Sequence, residues 1–332
     1  MKTNEITTKQ SSLKSHKHTW IVASIAIALA VLTVVLLPQN KGYSMLFAGV
    51  AGGHIMIGLI ALFAGWIVIP QKILDKIWGK KSVEGYDFGW SPKWLYSFAI
   101  AAFVVFILSV YLYFTFDGSS IARLSIYTLL LLLSVNLFAG FIVLQNSRRQ
   151  AKLTLPMVTL LPNGEGKILD AGCGAGRTTI AIAQALPNAL IVSFDRFDAD
   201  YIEGGGTSLL KRNIAISGIE QRVTIEKGDI TATSFTNNTF DAVISSYMFD
   251  HLGANKRKAL AETYRIMKPG GRFLLIIAIR SYSTFAIGNV LSLLFPSRNK
   301  WVSWIEQAGF KMISDGKINE GAYFCFEKPI NR

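Results

Sequence analysis

In the stretch 167–177, KILDAGCGAGR, an acid stands ahead of three glycines spaced by single residues: Asp170, then Gly172, Gly174 and Gly176. The apolar run before Asp170 reads as a strand, and the run RTTIAIAQAL after Gly176 reads as a helix. A glycine turn between a strand and a helix N-terminus lets backbone N–H groups come close to a bound molecule. The dinucleotide fingerprint G-x-G-x-x-G wants a third glycine where this chain has Arg177. A carboxylate at the mouth of the loop would also repel a pyrophosphate. Both departures point to a nucleotide-like ligand with a positive or amino-bearing end. Cys173, inside the loop, reads as a small packing residue.

Further chemistry-bearing residues follow at the ends of later apolar runs. Asp195 and Arg196 end LIVSFDR, Asp229 and Ile230 end EKGDI, and Ser245 closes the core of FDAVISS. Beyond Ser245 comes Tyr247-Met248-Phe249-Asp250-His251. His251 titrates near neutrality and could remove a proton from an attacking group. It could equally cap the following helix or touch the ligand. Asp250 could orient it or contact an amine, and Tyr247 completes the candidate catalytic set.

Six segments occur in order: ILDAGCGAG, LIVSFD, EKGDI, FDAVISSYMFDHL, RIMKPGGRFLLI and WIEQAGF. Together they resemble the class I S-adenosylmethionine-dependent methyltransferases. The resemblance covers about residues 150–330 and implies S-adenosylmethionine as cofactor, whose sulfonium and ammonium suit the acid ahead of the loop. It implies that Gly172, Cys173, Gly174 and Gly176 form the cofactor loop and that Asp170 lies near the ammonium. Asp195 would accept both ribose hydroxyls, since a carboxylate suits a vicinal diol. Asp229 would hold the adenine amino group with Ile230 against the ring. Arg196 and Ser245 join them as candidate cofactor contacts.

The elements that must position these residues alternate between strand and helix, as in a doubly wound parallel sheet. Strands are expected at 168–170, 190–194, 223–226, 242–246, 273–279, 311–314 and 322–327, with helices at 177–186, 209–216, 255–267 and 301–308. The fold class is thus an α/β Rossmann-like domain with a seven-stranded, mostly parallel sheet. Ligands in such sheets bind beyond the carboxyl ends of the strands, where Asp170, Asp195, Asp229 and Ser245 fall. The loop 197–206, FDADYIEGGG, reads either as a flap over the cofactor or as a solvated acidic loop.

The first 145 residues differ. Apolar residues make up 51% of the 332-residue chain, and the excess lies here. Apolar stretches at 20–37, 45–69, 94–116 and 121–144 each approach or exceed the ~20 residues that span a bilayer as a helix. A basic leader, 1–19, an all-α transmembrane domain, 20–144, and a methyltransferase domain, 145–332, are the expected divisions. Lysines and arginines cluster in the leader, in the 70–93 loop and after residue 144. The positive-inside rule then puts both termini and the glycine loop in the cytoplasm. The bilayer is therefore an expected partner, and oligomers through the transmembrane helices are possible. Within 70–93, an interfacial helix and an ordinary basic loop both fit the pattern. Gly49, Gly53, Ala61 and Gly65 have the spacing of close helix packing, while His54 and Asn136 read as pocket-lining groups or interhelical hydrogen-bond partners.

The net charge of +13 forms no basic stripe interleaved with aromatics, so no nucleic acid is expected. The two cysteines, Cys173 and Cys325, give neither a disulfide framework nor a metal-ligand spacing. The apolar insert 281–296 could cover the site, dip into the membrane interface, dock on the transmembrane helices, or pack as an ordinary buried helix. Three functional readings follow. The first is a membrane enzyme methylating a hydrophobic acceptor such as a lipid, quinone or isoprenoid. The second is a membrane-anchored enzyme with a soluble small-molecule acceptor. The third is a non-catalytic module that binds the cofactor.

Overall fold

A computed structural model describes residues 85–89, 92–149, 155–156, 159–199, 202–318 and 321–330. The expected spans 20–37 and 45–69, with His54 and the small residues of the second, lie outside these, as does 70–84 of the basic loop. The chain divides into two compact units: Met1–Lys80 with Pro92–Leu144, and Lys81–Ser91 with Gln145–Arg332.

Two helices are described in the first unit, α1 (Pro92–Thr115) and α2 (Ser120–Arg149), the latter running on past residue 144. Neither carries a polar face. Instead Phe103, Ile107 and Phe114 on α1 and Leu132, Val135 and Ile142 on α2 are exposed. Their seam holds Ala101, Ala102 and Val105 against Ile126, Leu130 and Leu137. Small residues on α1 let the branched chains of α2 approach. The Ser134 hydroxyl donates to the Ala102 carbonyl at 2.8 Å, a polar link across that seam. Asn136 is partly buried on α2. Among the described residues, Tyr96–Thr115 and Ser120–Gln145 are long and apolar enough to cross a membrane.

The second unit holds a seven-stranded sheet: β1 (Glu165–Ala171), β2 (Asn188–Asp195), β3 (Val223–Lys227), β4 (Phe240–Ser246), β5 (Met267–Ala278), β6 (Lys311–Ile318) and β7 (Gly321–Glu327). Their spatial order is β3-β2-β1-β4-β5-β7-β6. The first five run parallel, and β7 enters antiparallel between β5 and β6. Four longer helices accompany the sheet: α3 (Arg177–Ala185), α4 (Thr207–Ser217), α5 (Lys256–Ile266) and α7 (Arg298–Gln307).

Alternation along β1 sends Ile168 to one face and Leu169 to the other, and each is fully buried. Ile168 joins Ile180 and Ile182 of α3 and Leu210 and Ile214 of α4. Leu169 joins Leu260 of α5 and Trp301 and Ile305 of α7. Burying such a side chain contributes about 1.5–3 kcal/mol. The sheet therefore fixes β1 from both faces, and with it the residues at its carboxyl end.

One local feature departs from expectation, and one open segment takes a definite form. The segment Pro269-Gly270-Gly271, expected to separate helix from strand, belongs to β5. The chain passes straight from α5 into extended backbone at Met267, and the register shifts between Phe240 and Ala242. That irregularity accommodates a proline without an N–H to donate. The insert 281–296 forms α6 (Tyr282–Gly288), opened by a capping box between Ser281 and Thr284, and a 3-10 turn, Asn289–Leu294.

Candidate cofactor and acceptor site

The strand order reverses between β1 and β4, so a crevice opens at their carboxyl ends. The glycine loop leaves β1 there. Gly172 and Cys173 donate their N–H groups to the Phe194 carbonyl at 2.8 and 3.3 Å, pinning the loop to β2. Gly172 has φ 82°, and a Cβ on it would meet Met248 at 2.4 Å. Only glycine satisfies both demands. Gly176 then caps α3. Cys173 is buried, and burial pushes its thiol well above the ordinary range.

Asp170 ends β1 fully buried. Its Oδ2 accepts from the Thr179 hydroxyl at 2.6 Å, and that hydroxyl lies 2.8 Å from Ser193 Oγ. Its Oδ1 is a buried acceptor with no partner. Burial, reinforced by the negative charge of Asp195 and only partly offset by Thr179, raises this carboxyl to about 7.

Asp195 ends β2 one strand away. Its Oδ2 accepts from Gly174 N at 2.9 Å and its Oδ1 from Phe197 N at 2.7 Å. Phe197 has φ 53°, a left-handed conformation uncommon for an aromatic residue. The two bonds orient the carboxylate and leave each oxygen a further lone pair. In the 197–206 loop, Gly206 comes so close to the glycine loop that a Cβ would stand 3.1 Å from the Gly174 carbonyl.

Arg196 bridges toward Asp198 and toward Asp229, the latter at 3.6 Å. Hydrogen bonding to Asp198 raises its pKa further. Asp229 accepts from Thr231 N at 2.8 Å. Burial pulls its carboxyl upward, but the Thr231 bonds and the charges of Arg196 and Lys258 outweigh it, so the group stays below its usual range. Ile230 is only 4% exposed and belongs to the core cluster of Phe194 and Phe249.

Across β4 the chemistry changes. Ser245 is fully buried, and its hydroxyl donates to the Ala171 carbonyl at 2.7 Å, tying β4 to the end of β1. Tyr247 has φ 57° and donates its N–H to Ile276 O at 2.8 Å. The Asp250 side chain turns inward: Oδ2 accepts from Ala278 N at 2.9 Å, while Oδ1 is buried without a partner. Burial raises this carboxyl to about 7 against the opposing charge of Lys256. His251 keeps solvent access on the 3-10 turn Phe249–Asn255. Partial burial, then the Lys256 charge, lowers its pKa.

Residues 168–271 match the family described as a methyltransferase domain. The second unit carries a methyltransferase domain. The chain is 32% identical over 119 residues to a demethylmenaquinone methyltransferase of Symbiobacterium thermophilum, covering 36% of this chain and 45% of that protein. It is 24% identical over 160 residues to a 2-methyl-6-phytyl-1,4-hydroquinone methyltransferase of Oryza sativa subsp. japonica, covering 47% and 44%. It thus spans about half the length of these curated relatives. A solved structure, a putative methyltransferase from Bacillus halodurans, aligns over 57% of this chain and 99% of its own, with 17% identity and a TM-score of 0.40.

The methyltransferase domain presents a donor and acceptor set that fits S-adenosylmethionine. The orphaned Asp170 Oδ1 is an acceptor for an amino group, and the free lone pairs of Asp195 suit a diol. Ile230 and Ser245 lie in the interior of the domain, beneath the residues that line its carboxyl end. Two supports were not visible in sequence. The Thr179 hydroxyl, itself paired with Ser193 Oγ, holds Asp170 from nine residues away, and Asn213 of α4 donates to the Ala175 carbonyl of the loop at 2.8 Å. A threonine pair inside a helix is a weak propensity signal for such a role; Asn213 carries none.

Proposed function

We propose that this protein is an integral-membrane methyltransferase that moves a methyl group from S-adenosylmethionine to a membrane-resident acceptor of quinone type. The observation that carries this reading is the covalent continuity of a methyltransferase domain with α1 and α2, apolar on all sides. At about 1.5 Å per residue, the 24 residues of α1 reach about 36 Å, more than the ~30 Å of a bilayer core. The lysines and arginines favour cytoplasmic termini and a cytoplasmic domain, 145–332. The acceptor class draws on the relatives, both named for methyl transfer to quinone-type rings.

The insert 281–296 supports the same reading. It follows β5 at the carboxyl end of the sheet and exposes Tyr282, Leu293 and Leu294 at 68%, 58% and 78%. Arg280 and Lys300 flank it, while Arg298 is paired with Asp315. Exposed apolar side chains with a basic rim suit an anionic membrane surface.

In the mechanism, Asp170 Oδ1 would accept from the ammonium, Asp195 from the ribose hydroxyls and Asp229 from the adenine amino group. S-adenosylmethionine, when bound, supplies an electrophilic methyl on a sulfonium that leaves as a neutral thioether. The chain's own task is chiefly orientation. Where the acceptor must lose a proton, His251, whose pKa is lowered by burial and then by the Lys256 charge, would take it. Asp250, anchored at Ala278 N with its carboxyl raised to about 7 by burial, would orient His251.

The decisive experiment supplies labelled S-adenosylmethionine to membranes carrying the full chain and separates lipid, quinone, protein and aqueous fractions. Label in the quinone fraction is expected. Equal labelling of an aqueous product after the lipids are extracted would overturn the proposal.

A further inference from the structure

The pentapeptide Gly85–Gly89, which precedes α1, is part of the methyltransferase unit rather than of the helical one. It meets α4 across 126 residues of sequence. The Asn213 side chain is fully buried, and its oxygen and both of its N–H groups are engaged. Its Oδ1 accepts from Asp87 N at 3.0 Å, and its Nδ2 donates to Asp87 O and to Ala175 O, both at 2.8 Å. Ala175 stands between Gly174 and Gly176. One amide therefore reads the pentapeptide on one side and the cofactor loop on the other.

A second contact lies beside it. The Arg177 guanidinium sits over the Phe88 ring, 5.1 Å from its centroid. Arg177 occupies the position that turned the loop away from dinucleotide binding, and it opens α3 directly after Gly176. Phe88 stacks with Tyr86 at 6.0 Å, and both rings pack against the cluster of Ile180, Leu210 and Ile214. Arg212 adds a bond to the Gly85 carbonyl at 3.3 Å, and Gly89 N closes the turn on Asp87 Oδ1 at 2.9 Å. The five residues thus meet the start of α3 through Phe88 and α4 through Asp87 and Gly85, and they reach the loop carbonyl through Asn213.

We propose that Gly85–Gly89 is a clamp that holds the glycine loop in its cofactor-binding shape, with Asn213 and Phe88 as its positioning residues. The inference rests on reading that loop as the S-adenosylmethionine site. A strap that only stabilised the fold would have no reason to meet both Arg177 and the asparagine that holds the Ala175 carbonyl. Because α1 begins at Pro92, the clamp also ties the loop to the chain entering the apolar hairpin.

The test uses the full chain in lipid nanodiscs. Cofactor affinity is read by calorimetry with S-adenosylhomocysteine, acceptor KM by turnover, and loop order by amide exchange at 172–177. Asn213→Ala and Phe88→Ala should each raise the cofactor Kd about tenfold and speed exchange in the loop. Acceptor KM and exchange in β5 should stay unchanged. Phe88→Tyr, which keeps the ring over Arg177, should restore affinity. Asp87→Pro, which removes the N–H given to Asn213, should match Asn213→Ala and decides the matter if that variant does not fold. Wild-type Kd and loop exchange in folded Phe88→Ala and Asp87→Pro would overturn the clamp. A wild-type chain that binds no S-adenosylhomocysteine would instead overturn the reading of the site.

Discussion

The two sides of the crevice hold their reactive groups by different means. On the proposed cofactor side, the acids at the ends of β2 and β3 are fixed by backbone N–H groups, and Asp170 at the end of β1 by the Thr179 hydroxyl. Gly174 and Phe197 hold Asp195, and Thr231 holds Asp229. On the acceptor side, past β4 and β5, Asp250 is held by one backbone bond, His251 meets solvent, and the flanking insert is greasy and exposed. A ligand common to many enzymes can be met by backbone geometry, which changes slowly with sequence. A particular acceptor must be met by side chains and surface. The cofactor is thus encoded in spacing and the acceptor in context.

The sharpest way to break this contrast is to remove the acid on which the cofactor side turns. Asp195→Ala strands the N–H groups of Gly174 and Phe197 and removes the acceptors proposed for the ribose. Hydrogen bonds to charged groups contribute about 1.5–3 kcal/mol each, so two lost bonds should weaken cofactor binding about a hundredfold or more. Calorimetry measures this directly. A change under about threefold would remove Asp195 from the site.

A subtler test uses Asp170. Its carboxyl titrates near 7 because it is buried, whereas the unfolded chain ionises it near 3.8. Between those values the folded chain holds the extra proton, so this group's contribution to stability falls as pH rises through the window. An ammonium ligand favours the ionised form and must displace that proton. Cofactor affinity should therefore rise up to about tenfold between pH 6 and 8. Asp170→Asn should flatten the rise and raise the thermal midpoint of the ligand-free chain above pH 7. Asp250, also near 7, keeps its share in both chains, so their difference isolates Asp170. Parallel pH profiles in the two chains would sink the assignment.

How much of this was legible in the sequence follows the same division. The strand order of acids and glycines could be read because each sits where a short apolar run ends, and a period-2 buried strand leaves little choice of boundary. β5 was harder. Pro269 and two glycines read as a break, but the register shift beside Phe240 absorbs them into the strand. The inward turn of Asp250 was not legible either, since its partner Ala278 is 28 residues away. Least visible was the 85–89 clamp. GYDFG carries no periodicity, sits inside a basic stretch, and owes its place to an asparagine 126 residues later. Tertiary contacts of that range leave no local trace.

The smallest expected effect tests the acceptor side. Leu293 and Leu294 end the 3-10 turn of the insert and are exposed, which in water costs apolar hydration and in a lipid interface is favourable. The double change Leu293→Gln with Leu294→Gln leaves the sheet and both buried carboxyls untouched. Partial loss of the ~1.5–3 kcal/mol available per buried leucine should raise KM for a membrane-borne acceptor about fivefold. The Kd for S-adenosylhomocysteine should not move, because no cofactor-side residue is altered. If the variant weakens cofactor binding and acceptor use together, the insert belongs to the cofactor side and the contrast between the two sides fails. If KM rises only for acceptors carried in vesicles and not for a short-chain soluble analogue, the exposed leucines act through the membrane surface itself.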